Sequence, residues 1–316
     1  MRGHSSSFFK LLWLVSIPLF VGACQISSKS ESSEEAQVPQ EKEERIVTIG
    51  ATITEVMVDL GKADQIVATG IASLYPPEVT DSLPKVGYQR NISVEGILSA
   101  NPTRVILTEN AGPPPAIEQL KQSGIQLDFI KEGGSPDEGI ACIRKLGEIM
   151  GEEEKASELI TPIEEKLATL KEKFAKVEQR PKVLFIYARG QGLMMVGGKG
   201  SSVEPMIELA GGQNAVTEFE GFQNLTPESV IAAQPEIVLM TSRGAEGMGG
   251  EDGVWGMPGL EDTPAGKAKR LVLMDDLKLL SYGPRMGVAA LELFELFHGN
   301  ATGSVMAKEQ AVFAAQ

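Results

Sequence analysis

SVEGILSANPTRVILT, at residues 93–108, is matched near the other end of the chain by TPESVIAAQPEIVLMT, at residues 226–241. Each copy reads as a hydroxyl residue that can begin a helix, an apolar helical turn, an Asn-Pro or Gln-Pro stop, and then a buried strand. The chain therefore contains two related α/β units. Two similar lobes imply a cleft between them, and proteins that capture a small molecule commonly use such a cleft.

The first residues have the pattern of a bacterial secretion signal. Arg2 precedes an apolar run over residues 8–21 that is too short to span a bilayer comfortably, and the run closes on Val-Gly-Ala-Cys at Cys24. This ending resembles a lipobox, which predicts a signal peptide over residues 1–24, a lipidated Cys24 and a lipid-anchored location on the extracytoplasmic face of the cell envelope. Residues 25–44 are rich in Ser, Glu and Lys, so we predict a disordered tether.

The composition argues against several partners and chemistries. The formal net charge of −14 argues against nucleic acid, because phosphate binding needs clustered Lys and Arg. No G-x-S-x-G or H-E-x-x-H motif occurs, so we expect a binding protein and not an enzyme. Only His298 remains once His4 leaves with the signal peptide, whereas a bare zinc or manganese site normally needs several imidazoles or thiolates.

Strands that alternate with helices predict a mainly parallel sheet in a first lobe, residues 45–150. Apolar residues then recur every three or four positions over residues 156–177. This period predicts one long amphipathic helix between the lobes, within residues 151–179. Pro162 inside the pattern allows a kink or a restart of the helix.

A second lobe, residues 180–300, repeats the alternation of strands and helices. Glycine-rich stretches interrupt it, among them residues 244–253, and such stretches usually form surface loops. We expect a frayed tail over residues 301–316.

Tyr75 stands out in a chain that has 5% aromatic residues. It lies in Leu-Tyr-Pro-Pro at residues 74–77, where two prolines stiffen the turn after a predicted strand. This is the end of the sheet at which α/β proteins place ligands. The local sequence leaves two interpretations open, a ligand-binding tyrosine or a tyrosine that covers the core with its hydroxyl in solvent.

Eight short segments occur in an order that is shared with one family. They are RIVTIG at 45–50, YPP at 75–77, LPKVGYQR at 83–90, AGP at 111–113, LAGG at 209–212, MTSRG at 240–244, MDDL at 274–277 and GPR at 283–285. On these segments the chain resembles the periplasmic haem-binding proteins of bacterial haem ABC importers, a branch of the helical-linker substrate-binding proteins. The resemblance implies a class III periplasmic binding protein fold, which is α/β with two Rossmann-like lobes joined by one long α-helix, and haem held between the lobes.

The resemblance also implies that Tyr75 ligates the haem iron. A phenolate is a hard anionic ligand suited to ferric iron, and haem-tyrosine ligation is an established mode. The phenol pKa of about 10 must fall for this, which ferric iron supplies and a nearby guanidinium can assist. Arg243 is the candidate for that assistance or for pairing with a haem propionate.

Arg189 differs from the residue found in some members of this family, which have a histidine in the corresponding loop as a second axial ligand of the iron. A guanidinium cannot ligate iron, so we expect five-coordinate haem, with Arg189 contacting the propionates or the distal face. Arg90, at the end of the segment 83–90, is also assigned to the pocket. Met194 and Met195 are candidates for the distal face, although core packing is the competing role for at least one of them.

Glu95 and Glu228 occupy equivalent positions in the two copies of the repeat. Each falls in the first turn of a predicted helix, where a carboxylate stabilises the helix dipole by about 0.3 to 1 kcal/mol. The spacing is Ser-x-Glu or Thr-x-Glu, which is not that of a capping box. The resemblance assigns both positions to docking, with one carboxylate per lobe meeting arginines of the membrane permease.

The resemblance thus predicts a lipoprotein that captures ferric haem and delivers it to an ABC permease and its ATPase, without catalysis. An outer-membrane or surface haem delivery system is a further expected partner. The alternative is a ferric-siderophore or cobalamin carrier of the same architecture. The low aromatic content, 5%, favours an apolar site for a flat porphyrin over the Trp-rich site expected for a corrinoid. An enzyme acting on haem, and a scavenger without a transporter, are the hypotheses from other classes.

Overall fold

Short apolar strands alternate with helices along the whole described chain. The computed structural model describes residues 44–189, 192–299 and 305–306, so the predicted signal peptide, Cys24 and the tether up to residue 43 lie outside it. The strands are β1 Ile46–Ile49, β2 Ile66–Thr69, β3 Gly87–Tyr88, β4 Asn91–Ile92, β5 Arg104–Thr108, β6 Gln126–Ile130, β7 Lys182–Ala188, β8 Met194–Gly197, β9 Gln213–Asn214, β10 Phe222–Asn224, β11 Ile237–Thr241, β12 Leu271–Met274 and β13 Val305–Met306. The helices are α1 Ala51–Asp59, α2 Pro77–Thr80, α3 Val94–Ser99, α4 Pro114–Gln122, α5 Pro136–Met150, α6 Glu153–Phe174, α7 Glu204–Leu209, α8 Pro227–Ala233, α9 Ser242–Gly247, α10 Gly250–Trp255, α11 Pro264–Ala268, α12 Asp276–Leu280 and α13 Met286–His298.

The sheet of the first half is parallel throughout, in the order β2-β1-β5-β6. Every residue of β1 is buried, as expected for a central parallel strand with helices on both faces. Strands β3 and β4 form a separate antiparallel hairpin. The carboxyl ends of β1 and β2 lead into α1 and into the loop that carries Tyr75.

The sheet of the second half is mixed, in the order β10-β8-β7-β11-β12-β13, with β9 beside β7. Strands β7, β11, β12 and β13 are parallel, and β8 and β10 run antiparallel at one edge. The repeated segment occupies the same place in both halves, because its helix leads into β5 in the first sheet and into β11 in the second.

Helix α6 links the two halves and runs through Pro162 without a break. The Thr161 hydroxyl donates a hydrogen bond to the Ser157 carbonyl (2.9 Å) and does not cap a new helix, so the restart that the sequence allowed does not occur. Ile160 and Ile163 are buried on the inner face, where α6 packs against α5 and α13. Within the three described ranges, no helix combines the length and the apolarity needed to cross a membrane.

The two halves also contact each other at Gly139 and Tyr282. Gly139 lies in α5 of the first half, and a Cβ at this position would collide with the Tyr282 carbonyl oxygen. Tyr282 is fully buried just ahead of α13, and its hydroxyl donates to the Ser202 carbonyl (2.7 Å). Only glycine allows this close approach of α5 to the segment before α13.

One segment that we expected to be a surface loop has regular structure. The prediction of a surface loop at residues 244–253 is wrong, because α9 and α10 form there. The Thr241 hydroxyl accepts a hydrogen bond from the Gly244 N–H (3.2 Å) at the start of α9, and Val254 in α10 is fully buried. Of the predicted tail over residues 301–316, the structure describes only Val305–Met306, which pair with β12.

Candidate functional site

Tyr75 lies in the loop between β2 and α2, and hydrogen bonds from the Lys85 side chain hold this loop in place. The Lys85 ammonium donates to the Thr69 hydroxyl (3.0 Å), the Ser73 carbonyl (3.0 Å) and the Thr80 carbonyl (2.8 Å). These three acceptors flank Tyr75 on both sides in the sequence. The loop is therefore fixed at its base, and the half-buried Tyr75 side chain is positioned relative to the sheet.

Arg285 is the cation that contacts Tyr75. Its guanidinium carbon lies 3.5 Å from the centroid of the Tyr75 ring. The same guanidinium makes a two-pronged ion pair with Glu55, with Nε 2.6 Å from Oε1 and Nη2 3.1 Å from Oε2. Glu55 belongs to α1 of the first half and is 2% exposed, whereas Arg285 immediately precedes α13 of the second half. The bidentate pair thus joins the halves and sets a positive charge against the Tyr75 ring.

A cavity of about 550 Å³ opens beside these residues. This volume lies within the range of small-molecule sites, which is roughly 300 to 1,000 Å³. The walls come from α1, from Tyr75 and α2, from α6, and from the start of α13, so both halves and the linking helix contribute. The lining residues are Glu55, Val58, Asp59, Tyr75, Pro76, Glu78, Val79, Leu159, Pro162, Ile163, Lys166, Pro284, Arg285 and Val288.

Burial dominates the electrostatics of this cavity. It raises the pKa of the Tyr75 phenol above its ordinary value, although Arg285 opposes the shift, so the phenol is neutral at pH 7. Burial also raises the pKa of Glu55 against the effect of Arg285. The pKa of Asp59 rises to about 7, first through burial and then through the Glu55 charge one helical turn away.

The raised pKa of Asp59 predicts a pH-dependent stability that Asp59→Asn removes. Between the ordinary pKa of 3.8 and about 7, the folded protein holds a proton at Asp59 that the unfolded chain has lost. The free energy of unfolding therefore falls as pH rises through this window. Asp59→Asn should be more stable than the wild type by about 1 to 3 kcal/mol at pH 8, and by little at pH 4.

Urea unfolding of the ligand-free protein at several pH values between 4 and 8 measures this difference. The control is Asp64→Asn, at an exposed aspartate five residues along the chain, which should leave the wild-type pH profile unchanged. A stability difference between Asp59→Asn and wild type that stays constant across the pH range would contradict the prediction.

A second group of predicted site residues lies at the carboxyl end of the second sheet. Arg189 follows β7 directly, and its Nε donates to the Tyr187 hydroxyl (2.7 Å). Met194 and Met195 are half-buried in β8 beside the end of β7, and Met194 packs against the core of this half. Arg243 is exposed in the first turn of α9, which follows β11. These four residues therefore all lie near the carboxyl ends of the parallel strands β7 and β11.

Of the predicted pocket residues, Tyr75 alone is among those that line the described cavity. Arg90 is exposed in the turn between β3 and β4. The guanidinium placed against Tyr75 is Arg285 and not Arg243, for which pairing with a propionate remains the prediction. Arg285 belongs to the GPR segment at 283–285 but had no predicted role. The one signal for it in the sequence was that this shared segment contains a single cationic residue.

Glu95 and Glu228 are exposed in the first turns of α3 and α8. The caps of these helices are made by Ser93 and Thr226, whose hydroxyls each accept a hydrogen bond from the backbone N–H three residues on (3.1 Å and 3.2 Å). In α8 the reciprocal capping-box partner is Ser229. As the sequence spacing indicated, neither glutamate takes part in these caps.

The chain is similar to one family model and to several binding proteins, as follows. The family model described as periplasmic binding protein matches residues 46–277. The solved periplasmic haem-binding protein RhuT from Roseiflexus sp. RS-1 is 40% identical, with a TM-score of 0.78, and the match covers 81% of this chain and 98% of RhuT. An uncharacterized ABC transporter substrate-binding lipoprotein of Bacillus subtilis (strain 168), YvrC, is 27% identical over 213 residues, which are 66% of this chain and 67% of YvrC. A vitamin B12-binding protein of Vibrio parahaemolyticus is 29% identical over 214 residues, 67% of this chain and 74% of the relative.

The matched segment extends from β1 into α12, so it includes α6 and elements of both halves. Two α/β lobes joined by one long helix form the class III architecture that the sequence predicted, and the structural match to RhuT confirms it. The chain belongs to the periplasmic binding protein family.

Proposed function

We propose that this protein binds ferric haem between its two lobes and delivers it to an ABC importer, without catalysing a reaction. The observation that carries the proposal is the 40% identity to RhuT, a periplasmic haem-binding protein, over 98% of its length. The vitamin B12-binding relative is less similar, at 29% identity. A cobalamin or ferric-siderophore carrier is therefore the less favoured alternative.

Tyr75 is the proposed iron ligand, through its phenolate oxygen. It lies in a cavity bounded by both halves, and the Arg285 cation on its ring favours the anionic form that ferric iron requires. His298 lies at the opposite end of α13 from Arg285, about 20 Å along the helix, where it packs against Phe294. We therefore propose five-coordinate haem, with Tyr75 as the axial ligand.

Arg189 and Arg243 are proposed to pair with the haem propionates. Both side chains are exposed at the carboxyl end of the second sheet, and guanidinium groups bind carboxylates with two parallel hydrogen bonds. Arg90 is the corresponding candidate on the hairpin of the first half. Met194 and Met195 are proposed to offer polarizable side chains to the porphyrin face, in addition to the core contact that Met194 makes.

As a member of its family, the chain acts outside the cytoplasm as the binding component of an importer that also has a permease and an ATPase. The finer proposal is a lipid anchor on Cys24, supported by the lipobox-like sequence and by the lipoprotein YvrC among the relatives. Glu95 and Glu228 are proposed to dock on the permease, and a surface haem delivery system is proposed to act upstream.

Titration of the purified ligand-free protein with ferric haem tests the proposal. We expect a saturating change in the visible spectrum to a tyrosinate-type, high-spin ferric haem, and no competition by cyanocobalamin. A parallel titration with cyanocobalamin alone is the matched control. Tight binding of cobalamin, together with a haem spectrum that stays that of free haem, would contradict the proposed ligand.

A further inference from the structure

Arg189 is held by a hydrogen bond to the tyrosine two residues before it. Its Nε donates to the Tyr187 hydroxyl at 2.7 Å, and its guanidinium carbon lies 5.7 Å from the centroid of the Tyr187 ring. Residues two apart along an extended strand lie on the same face, so the two side chains meet at the carboxyl end of β7. The half-buried tyrosine is therefore a partner that the exposed arginine finds within its own strand.

The Tyr187 ring is in turn fixed by aromatic packing. It contacts Phe222 of β10 edge to face, with ring centroids 6.2 Å apart and an angle of 61° between the ring planes. Phe222 contacts Phe185 in the same manner, at 6.3 Å and 71°, and Phe185 is fully buried. Edge-to-face contact is a preferred geometry for aromatic pairs. The row of three rings thus anchors the Tyr187 hydroxyl to the core of the second half.

The backbone on both sides of Arg189 is fixed as well. The Arg189 N–H donates to the Leu193 carbonyl (2.9 Å). Ala188 is 4% exposed, and the first turn of α9 packs against it so closely that a Cβ at Gly244 would lie 3.2 Å from the Ala188 carbonyl oxygen. Arg243 directly precedes Gly244, so the two arginines proposed to bind propionates lie on adjoining segments.

The hydrogen bond to Tyr187 uses only one of the five N–H groups of Arg189. A guanidinium is a planar fork, and the N–H groups of its two Nη atoms stay available when Nε is occupied. The end of the fork formed by both Nη atoms can bind one carboxylate through two parallel hydrogen bonds. A hydroxyl also holds the arginine without cancelling its positive charge, whereas Arg285 is paired with the Glu55 carboxylate.

We propose that Tyr187 is a positioning residue for ligand capture, because it holds Arg189 in the orientation that clamps one haem propionate. This inference rests on the proposed binding of haem and goes further by giving a role to Tyr187, which the sequence did not single out. A long side chain that is held in its bound conformation before the ligand arrives loses less conformational entropy on binding. For one side chain this corresponds to a gain in affinity of roughly 2- to 10-fold.

Tyr187→Phe tests the inference, because it removes the hydroxyl and keeps the ring that packs on Phe222. Spectral titration of the purified protein with ferric haem should show an affinity about 2- to 10-fold weaker, with an unchanged tyrosinate-type spectrum because Tyr75 still ligates the iron. Haem dimethyl ester lacks free carboxylates, so wild type and Tyr187→Phe should bind it equally. In an Arg189→Ala background, Tyr187→Phe should have no further effect. The matched control is Tyr88→Phe, at an exposed tyrosine of the first half, which should bind haem like wild type.

Equal haem affinities of wild type and Tyr187→Phe would overturn the inference and leave the proposed function intact. The same loss of affinity for haem and for its dimethyl ester, or a further loss in the Arg189→Ala background, would also overturn it, since the hydroxyl would then not act through Arg189 and a propionate. Loss of the tyrosinate-type spectrum in Tyr187→Phe would instead make Tyr187 an iron ligand. Absence of haem binding by the wild-type protein would overturn the proposed function and this inference together.

Discussion

Tyr75→Phe is expected to abolish the tyrosinate-type spectrum of the haem complex. The iron would lose its only proposed protein ligand, so haem affinity should fall by at least about 100-fold, since even the loss of groups that merely orient a metal ligand costs about 10- to 100-fold. Spectral titration of the purified variant with ferric haem measures both effects. A wild-type spectrum in the variant would remove Tyr75 from the site.

Phenylalanine is the informative replacement because it retains the ring that lies against Arg285. The variant therefore loses the oxygen atom and keeps the contact between ring and guanidinium. Tyr88→Phe is the matched control, because Tyr88 is 37% exposed on β3 of the same half. It should leave both the spectrum and the affinity unchanged.

The neutral phenol of ligand-free Tyr75 adds a second signature to this prediction. A phenol with the ordinary pKa of about 10 is protonated at pH 7, and burial raises the pKa of Tyr75 further, so ligation of iron as phenolate must release a proton to solvent. Calorimetric titration in buffers of different ionisation enthalpy counts the protons released. Wild type should release one more proton per haem than Tyr75→Phe.

Charge reversal at both repeat glutamates, Glu95→Lys with Glu228→Lys, is expected to abolish haem uptake and leave haem affinity intact. Both carboxylates are exposed, so the fold should lose only their helix-dipole stabilisation, about 0.3 to 1 kcal/mol at each site. At the permease, two attractive charge pairs would become repulsive, which costs several kcal/mol per contact. Haem-dependent growth of cells that carry the variant measures uptake, and spectral titration measures binding.

Glu154→Lys is the matched control for this charge reversal. Glu154 is exposed in the first turn of α6, so its replacement also disturbs a helix dipole but lies outside the repeat. We expect normal uptake in this variant. Unimpaired uptake in the double reversal would instead support a scavenger or sensor that works without a permease.

The elements of the repeat could be predicted because their signals are local. In 93–108 and 226–241, a hydroxyl cap begins each helix, an Asn-Pro or Gln-Pro pair ends it, and an unbroken apolar run forms the strand. Helix α6 was predictable for the same reason, since its apolar period continues on both sides of Pro162. In each case the signal that predicts the element lies in residues close together in the sequence, although the stability of the element comes from packing against distant partners.

Helices α9 and α10 could not be predicted in this way. Glycine has low helix propensity, and residues 244–253 are rich in it. Burial of Met248 and Val254 against the second sheet outweighs that propensity. The partners of these side chains are distant in sequence, so no local pattern reports them.

The sequence by itself determined the two-lobed α/β architecture, the linking helix, and Tyr75 as the residue that stands out, because caps, prolines and apolar periods act over a few residues. Only the tertiary structure decided which cation contacts Tyr75. Arg285 reaches Glu55 across 230 positions of the chain, through the packing of α13 against α6 and of α6 against α5. A contact between residues so far apart in the sequence forms only when the elements between them have packed together. No local sequence pattern can therefore predict which cation reaches Tyr75.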